Sequence, residues 1–406
     1  MKLIYSMVVL ALCALMVMLV GCDKNTISST IDGLVNVATP QITNVEPAEL
    51  YGGQVLKIYG SNFATDDPSK NIVIFGFSEG FGYASARADS ATSSMLVVTT
   101  PQVGGMNDDV TKVVVTRADA QNTEWSEGVD ITFKKIMDVI DTGLEAIKGG
   151  ICFDTDGNMF VREWGDIYKV APDGQTTYIS TTNWADGEMA FGPDGYIYAC
   201  TAWWTNSDGY SGTIFKVPPE GGDAVEAYSA NRCRNIDFTE DGTLYYMCTR
   251  GYDPYGIFKI LPGTTESVNV LTDICSTSSL RIWNDYLYWY TRQGWGDDKF
   301  EGLTRAPLNN LAAQEVIFAD DGYSASGIAV DDNGNIYLMV GWGFNDFVRY
   351  NVSRNQFETL LKLPTENPNF ATFNGEFLYV AAGVANGNIY KIYLGVSGAP
   401  KNIWGS

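Results

Sequence analysis

Histidine is absent from this 406-residue chain. Imidazole acid–base catalysis, a Ser-His nucleophile pair and a histidine-ligated zinc are therefore excluded within it. Positive charge is scarce, with 26 Lys and Arg against 48 Asp and Glu, a net −22. A surface of that sign repels phosphate backbones, so no nucleic acid is expected as partner. After residue 20 there is no long apolar run, and no stretch sustains a helical period. Cysteine is sparse as well. Apart from Cys13 and Cys22 the chain has Cys152, Cys200, Cys233, Cys248 and Cys275. That odd number leaves at least one thiol free or paired outside the chain. Cys152, Cys200 and Cys248 fall in apolar strand patterns, as small buried residues do. Cys233 and Cys275 occupy equivalent loops of neighbouring repeats, and whether they pair is open.

What is abundant points to strands and turns: 42 Gly and 13% aromatic residues in a chain that is 45% hydrophobic. The length allows two or three domains. The expected fold class is all-β.

The N-terminus carries Lys2, an uncharged apolar run from Ile4 to Val20, then Leu19-Val20-Gly21-Cys22 and the polar Asp23-Lys24-Asn25. A short apolar core closed by small residues reads as a signal peptide. Its ending resembles the lipobox of bacterial lipoproteins. That resemblance implies a leader over residues 1–21 and lipidation of Cys22. A plain signal peptide and an uncleaved anchor are the alternatives. Residues 22–39 are polar and read as a flexible tether.

From Pro40 the pattern changes. Pro40-Gln-Ile42-Thr-Asn-Val45-Glu-Pro47 is followed by Gly52-Gly53, then Ile58-Tyr-Gly60 and Phe63. Alternating apolar residues recur at 72–75, 95–99, 112–116 and 129–133, so residues 40–134 read as an immunoglobulin-like sandwich. These motifs resemble an IPT/TIG domain, a family in which the module often serves as a spacer.

The remainder, residues 135–406, repeats. An Asp-Gly or Asn-containing turn leads into an aromatic strand at Asp156, Asp194, Asp241, Asn284, Asn333 and Asn374. A basic residue follows on the next strand: Lys169, Lys216, Lys259, Arg305, Arg349 and Lys391, spaced 42 to 47 residues apart. Six units, each with room for four strands, predict a six-bladed β-propeller. Residues 135–141 resemble an outer strand placed before the first turn, and are expected to complete the last blade. The C-terminal tail competes for that place. The basic residues are expected to pair with local acids or lie along apolar surface. The repeats resemble NHL/SMP-30-type propellers.

In such a blade the second-to-third-strand loops and the loops to the next blade share one face. Segments 162–165, 183–188, 202–212, 250–255, 291–302 and 341–346 fall there. They hold Trp164, Trp184, Trp203, Trp204, Trp295 and Trp342, six of the ten Trp, with Tyr210, Tyr252, Tyr255 and Phe344. Rings at one rim suit stacking on sugar C–H faces, with Arg162, Glu163, Arg250, Asp253, Arg292, Asp297 and Asp298 to bond hydroxyls. Glycan binding by Trp164, Trp184, Trp203, Trp204, Tyr252, Arg250, Arg292, Trp295 and Trp342 is the leading reading. Rings wedged between blades as core caps, and a protein or peptide partner, are the alternatives.

Lactonases resembling SMP-30 hold a calcium-like ion through Glu, Asn and Asp. Glu188, Asn235 and Asp237 stand at comparable inner-strand positions, with oxygen ligands suited to Ca²⁺. The family's flanking motifs are missing and the equivalent positions in other blades are Gly. A Ca-dependent hydrolase therefore stays an alternative, with no metal and no cofactor expected. Asp154-Thr-Asp156-Gly-Asn158 and Asp331-Asp-Asn333-Gly-Asn335 look like calcium loops, but hairpin chemistry explains them. The tandem of lipobox, IPT/TIG and propeller resembles Bacteroidetes surface lipoproteins that accompany glycan importers. It implies an outer-membrane, surface-exposed lipoprotein, bound to the membrane by its lipid and associated with an envelope transporter complex.

Overall fold

A computed structural model describes residues 36–76, 83–101, 107–121, 124–182, 187–205, 209–230, 233–248, 256–272, 274, 277–291, 301–319, 325–340, 346–364, 368–383 and 387–399. For residues 83, 202–205, 209–211 and 277–278 only the backbone is described. The chain divides into two compact units, the first ending at Lys135 and the second beginning at Ile136.

The first unit is a sandwich of two sheets. Gln41–Glu46, Val55–Ser61, Met95–Thr99 and Ser90–Ala91 form one, in that order. Glu49–Leu50, Val129–Phe133, Asp109–Arg117, Asn71–Gly76 and Tyr83–Arg87 form the other. Strict alternation decides the faces: every second residue of Asn71–Gly76 is buried, so Val73 and Phe75 join Leu56, Ile58, Leu96, Val98, Val113, Val115 and Phe133 in one core. Gly60 is required by close approach, because a Cβ there would lie 1.8 Å from the carbonyl oxygen of Gln41 on the paired strand.

The second unit contains six four-stranded antiparallel sheets, the blades of a propeller. From the axis outward, blade one is Ile151–Phe153, Met159–Glu163, Asp166–Val170 and Thr176–Thr181. Blade two is Met189–Phe191, Ile197–Thr205, Gly209–Val217 and Val225–Ser229. Blade three is Cys233–Phe238, Leu244–Cys248, Gly256–Ile260 and Ser267–Thr272. Blade four is Thr277–Trp283, Tyr286–Thr291, Gly302–Pro307 and Glu315–Ala319. Blade five is Ala325–Val330, Ile336–Val340, Asp346–Asn351 and Gln356–Lys362. Blade six takes Ala371–Asn374, Phe377–Ala381 and Asn388–Tyr393 from the C-terminal end, and its outer strand is Met137–Asp141.

Each inner strand touches the next around a closed ring. Neighbouring blades bury their facing sides in six separate apolar clusters. A single sheet would leave both faces wet, and the radial repeat removes that exposure. Second strands such as Leu244–Cys248 and Ile336–Val340 are buried throughout. Outer strands such as Val225–Ser229 are largely exposed. Positive φ at Gly195 and Gly242, and at the consecutive Asn284 and Asp285, closes the first hairpin of three blades.

Of the repeated basic residues, Lys216, Arg305, Arg349 and Lys391 are engaged locally. Lys216 lies 2.6 Å from Asp194, Arg305 bonds Glu315 at 2.8 Å, and Lys391 sits 4.2 Å from the Phe377 ring centroid.

Candidate functional site

Strand register sorts the inner-strand residues into levels along the channel. Opposite the recurring aromatic of each second strand stand Cys152, Ala190, Asp237, Arg281, Ala329 and Thr372. Two residues nearer the mouth end stand Asn235, Ser279 and Gly327. Glu188 immediately precedes the blade-two strand, its carbonyl accepting from Cys200 N at 3.0 Å. Opposite charges at one level in adjacent blades, Asp237 and Arg281, set up the electrostatics of the axis.

Arg281 is 1% exposed and spans the channel. From blade four its Nη2 donates to the Ala371 carbonyl of blade six. Its Nη1 lies 3.8 Å from Glu188 Oε2 of blade two. Those partners stand two blades away on either side, so the guanidinium crosses the axis. Asp237 is tied down by backbone, its Oδ1 accepting from Phe238 N at 3.0 Å and its Oδ2 from Ile282 N at 2.9 Å. Burial raises the Glu188 carboxyl, against the lowering effects of Arg281 and a hydrogen bond from Asn235. Burial likewise pushes Asp237 up to about 7, opposed by Arg281 and the Ile282 N–H.

The donor set Glu188, Asn235 and Asp237 does not fit a calcium ion. A guanidinium stands where the cation's charge would be needed, and both Asp237 oxygens face backbone N–H groups. Among the described residues no three Cys, Asp or Glu side chains converge as ligands. The loops that look like calcium sites are spent on their own turns. Asp154 Oδ1 accepts from Asp156 N and Asn158 N. Asp331 accepts from Asn333 N, Asn335 N, Asn335 Nδ2 and Tyr337 OH at 2.8 to 2.9 Å.

At the mouth end, Trp164 is the described ring. Glu163 pairs with Asp166, so Trp164 and Gly165 form a two-residue hairpin turn. Trp164 has φ 54, in the left-handed region where a bulky residue is a true outlier. It is 39% exposed. The Lys148 ammonium lies 3.0 Å from its ring centroid. That lysine is placed by its own backbone: Lys148 N donates to the Arg162 carbonyl at 2.9 Å, and Glu163 Oε1 accepts from Glu145 N at 2.6 Å.

Two sequence expectations at this rim are corrected. Arg162 is not a hydroxyl-binding surface residue. It is 0% exposed, donating to the Cys200 carbonyl at 2.6 Å and to Thr182 Oγ1. Its aliphatic stem packs so close to Gly149 that a Cβ there would stand 2.2 Å from Arg162 Cδ. Glu163 is likewise taken up by the 145–146 backbone. Trp203 and Trp204 lie on Ile197–Thr205, opposite Ser211 and Tyr210; their side chains fall outside the described set. Trp184, Arg250, Tyr252, Arg292, Trp295 and Trp342 lie outside the described residues. Sequence reasoning missed Arg281. Its signal was there: register alignment puts one Arg between Leu280 and Ile282 at the level of Asp237.

Residues 40–133 match the IPT/TIG domain family. No curated protein matches the sequence. Among solved structures, a gluconolactonase from Xanthomonas campestris is similar at 12% identity and TM-score 0.51, over 64% of this chain and 89% of that one. An auxiliary nutrient binding protein from Bacteroides ovatus is similar at 15% identity and TM-score 0.48, over 87% of this chain and 98% of that one. Another from Bacteroides thetaiotaomicron shows 12% identity and TM-score 0.47, over 87% and 97%. At such identities the likeness to the gluconolactonase extends to the propeller fold and not to its activity.

Proposed function

We propose that the chain is a non-catalytic binding protein of the cell envelope that takes carbohydrate at the mouth of its propeller. The observation that carries this reading is Trp164, an exposed ring held at positive φ on a hairpin tip. Backbone strain at an exposed aromatic is retained where the ring's position matters. Five further Trp, Trp184, Trp203, Trp204, Trp295 and Trp342, fall in segments that the sequence repeat assigns to the same rim. Flat rings there would stack on sugar faces, while flanking Asp and Arg bond hydroxyls. The absence of histidine and the arginine across the channel both weigh against a hydrolase.

The leader and Cys22 lie outside the described residues. We infer from their sequence a lipid anchor at Cys22 and display at the outer-membrane surface, where an importer complex is the natural partner. Metabolic palmitate labelling of the full chain tests this, with Cys22→Ala expected to lose the label.

Retardation in gels containing each of a panel of polysaccharides tests the function. Wild type is expected to be slowed by at least one polymer, and Trp164→Ala, Trp203→Ala and Trp342→Ala to migrate faster there. Retardation by none, or equal retardation of all variants, ends the carbohydrate reading. Thermal stabilisation by Ca²⁺ that disappears in Glu188→Ala would instead favour a metal-dependent hydrolase.

A further inference from the structure

We propose that Cys200 and Cys233 are joined in a disulfide that staples blade two to blade three. Cys200 is on the second strand of blade two and Cys233 opens the inner strand of blade three. Both are fully buried in the cluster that these blades share. The Cys233 thiol is turned to Cys200, with the sulfurs 3.0 Å apart, closer than non-bonded sulfurs pack. Closing that gap to a bond of about 2.05 Å takes a shift of only about 1 Å. Cys248 stands opposite Cys233 in the strand register, and Cys152 belongs to a different interblade cluster. A metal on these thiols is disfavoured, since among the described residues no three ligating side chains converge.

The pairing replaces the sequence-level alternative of Cys233 with Cys275, which lies outside the described residues. Burial raises the Cys233 thiol well above its ordinary range, with the Cys200 hydrogen bond adding to this. In the folded protein the pair is therefore slow to exchange, because exchange runs through a thiolate. The bond must form before the two blades close on each other. One cysteine thiolate attacks a sulfur of a small-molecule or protein disulfide, releasing one donor thiol. The other cysteine then attacks the mixed disulfide and releases the second. Two electrons pass to the donor, and the two cysteine protons end on its thiols. An exported chain meets such donors; the inference rests on the export reading only for that.

The test uses the full chain, unfolded, reduced and refolded in a reduced/oxidised glutathione buffer. Free thiols are blocked in denaturant with light iodoacetamide, then the chain is reduced and labelled with heavy reagent. Heavy label is expected on Cys200 and Cys233, and light label on Cys152, Cys248 and Cys275. A cross-linked peptide pair holding Cys200 and Cys233 is expected in the unreduced digest. Light label on both, or Cys233 linked to Cys248 or Cys275, overturns the proposal. As a second measure, reductant present during unfolding lowers the wild-type Tm by on the order of 5–10 °C for a cross-link spanning 33 residues. Cys200→Ala/Cys233→Ala melts at one temperature with or without it. Equal sensitivity of both proteins counts against the bridge.

Discussion

Arg281 and Glu188, 93 residues apart in sequence and two blades apart in the ring, meet across the propeller axis at 3.8 Å, both almost wholly buried. The pair matters because each member is costly alone. Arg281→Met leaves the Glu188 carboxyl buried without its cation, and Glu188→Gln leaves the guanidinium short of its counter-charge. Each single substitution is expected to lower stability by about 3–5 kcal/mol. The double variant should lose clearly less than the sum. Urea unfolding of the four proteins checks this; additive losses would mean that the two groups do not act as a pair.

Asp237 makes stability depend on pH in an unusual direction. In the fold its carboxyl is held up to about 7, whereas in the unfolded chain it titrates near 3.8. Between those values the native state binds the extra proton, so stability falls as pH rises through the window. The carboxylates of Asp119, Asp241 and Glu358 are lowered in the fold. Their contribution is lost only at the acid end of that window and below it, as pH falls past 4.5 for Glu358 and 3.8 for the two Asp. Tm is expected to rise when pH drops from about 8 to about 5, and Asp237→Asn to flatten the trend. An unchanged slope in the variant would assign the trend to other groups, the raised Glu188 carboxyl among them.

Trp164 separates stability from binding. Its φ of 54 suits glycine, and a strained residue of this kind costs about 1–3 kcal/mol. Trp164→Gly should keep or raise Tm, since the strain relieved offsets the lost Lys148 contact, worth about 0.5–1 kcal/mol at an exposed site. The same variant should lose affinity for any polysaccharide that slows the wild type. Lost stability with affinity retained would make the ring a structural cap.

Asp331 anchors a blade-five turn through four donors. Asp331→Ala is expected to cost about 2–4 kcal/mol, because buried donors lose their acceptor. Ca²⁺ should leave the wild-type Tm within about 1 °C, a shift equal to only a fraction of 1 kcal/mol for a unit of this size. Calorimetry with and without the ion decides it.

Much of the propeller was legible in the chain. Recurring turns at Asp194-Gly195 and Asp241-Gly242 supply the positive φ that a hairpin needs, and a period near 45 residues requires repeated sheets to cover one another. The outer strand before the first turn, Met137–Asp141, was readable because it resembles the outer strands of the other units yet stands ahead of the first turn; it pairs with Asn388–Tyr393 of the last blade. The charged channel was only half legible. Glu188, Asn235 and Asp237 drew notice as oxygen donors, yet their meaning depends on Arg281, which reaches them only after blades two, three and four are assembled.

Sequence by itself determined what is local or periodic: the all-β class, the sandwich core, the blade count and the exclusion of imidazole chemistry. These follow from composition and from strand and turn periods, which need no knowledge of distant contacts. Tertiary structure alone decided which buried side chain meets which. It carried Arg281 across the axis to Glu188, sank Arg162 beneath the rim, and turned Cys233 to Cys200. Those meetings join residues far apart in the chain, and only the closing of the ring brings them within reach.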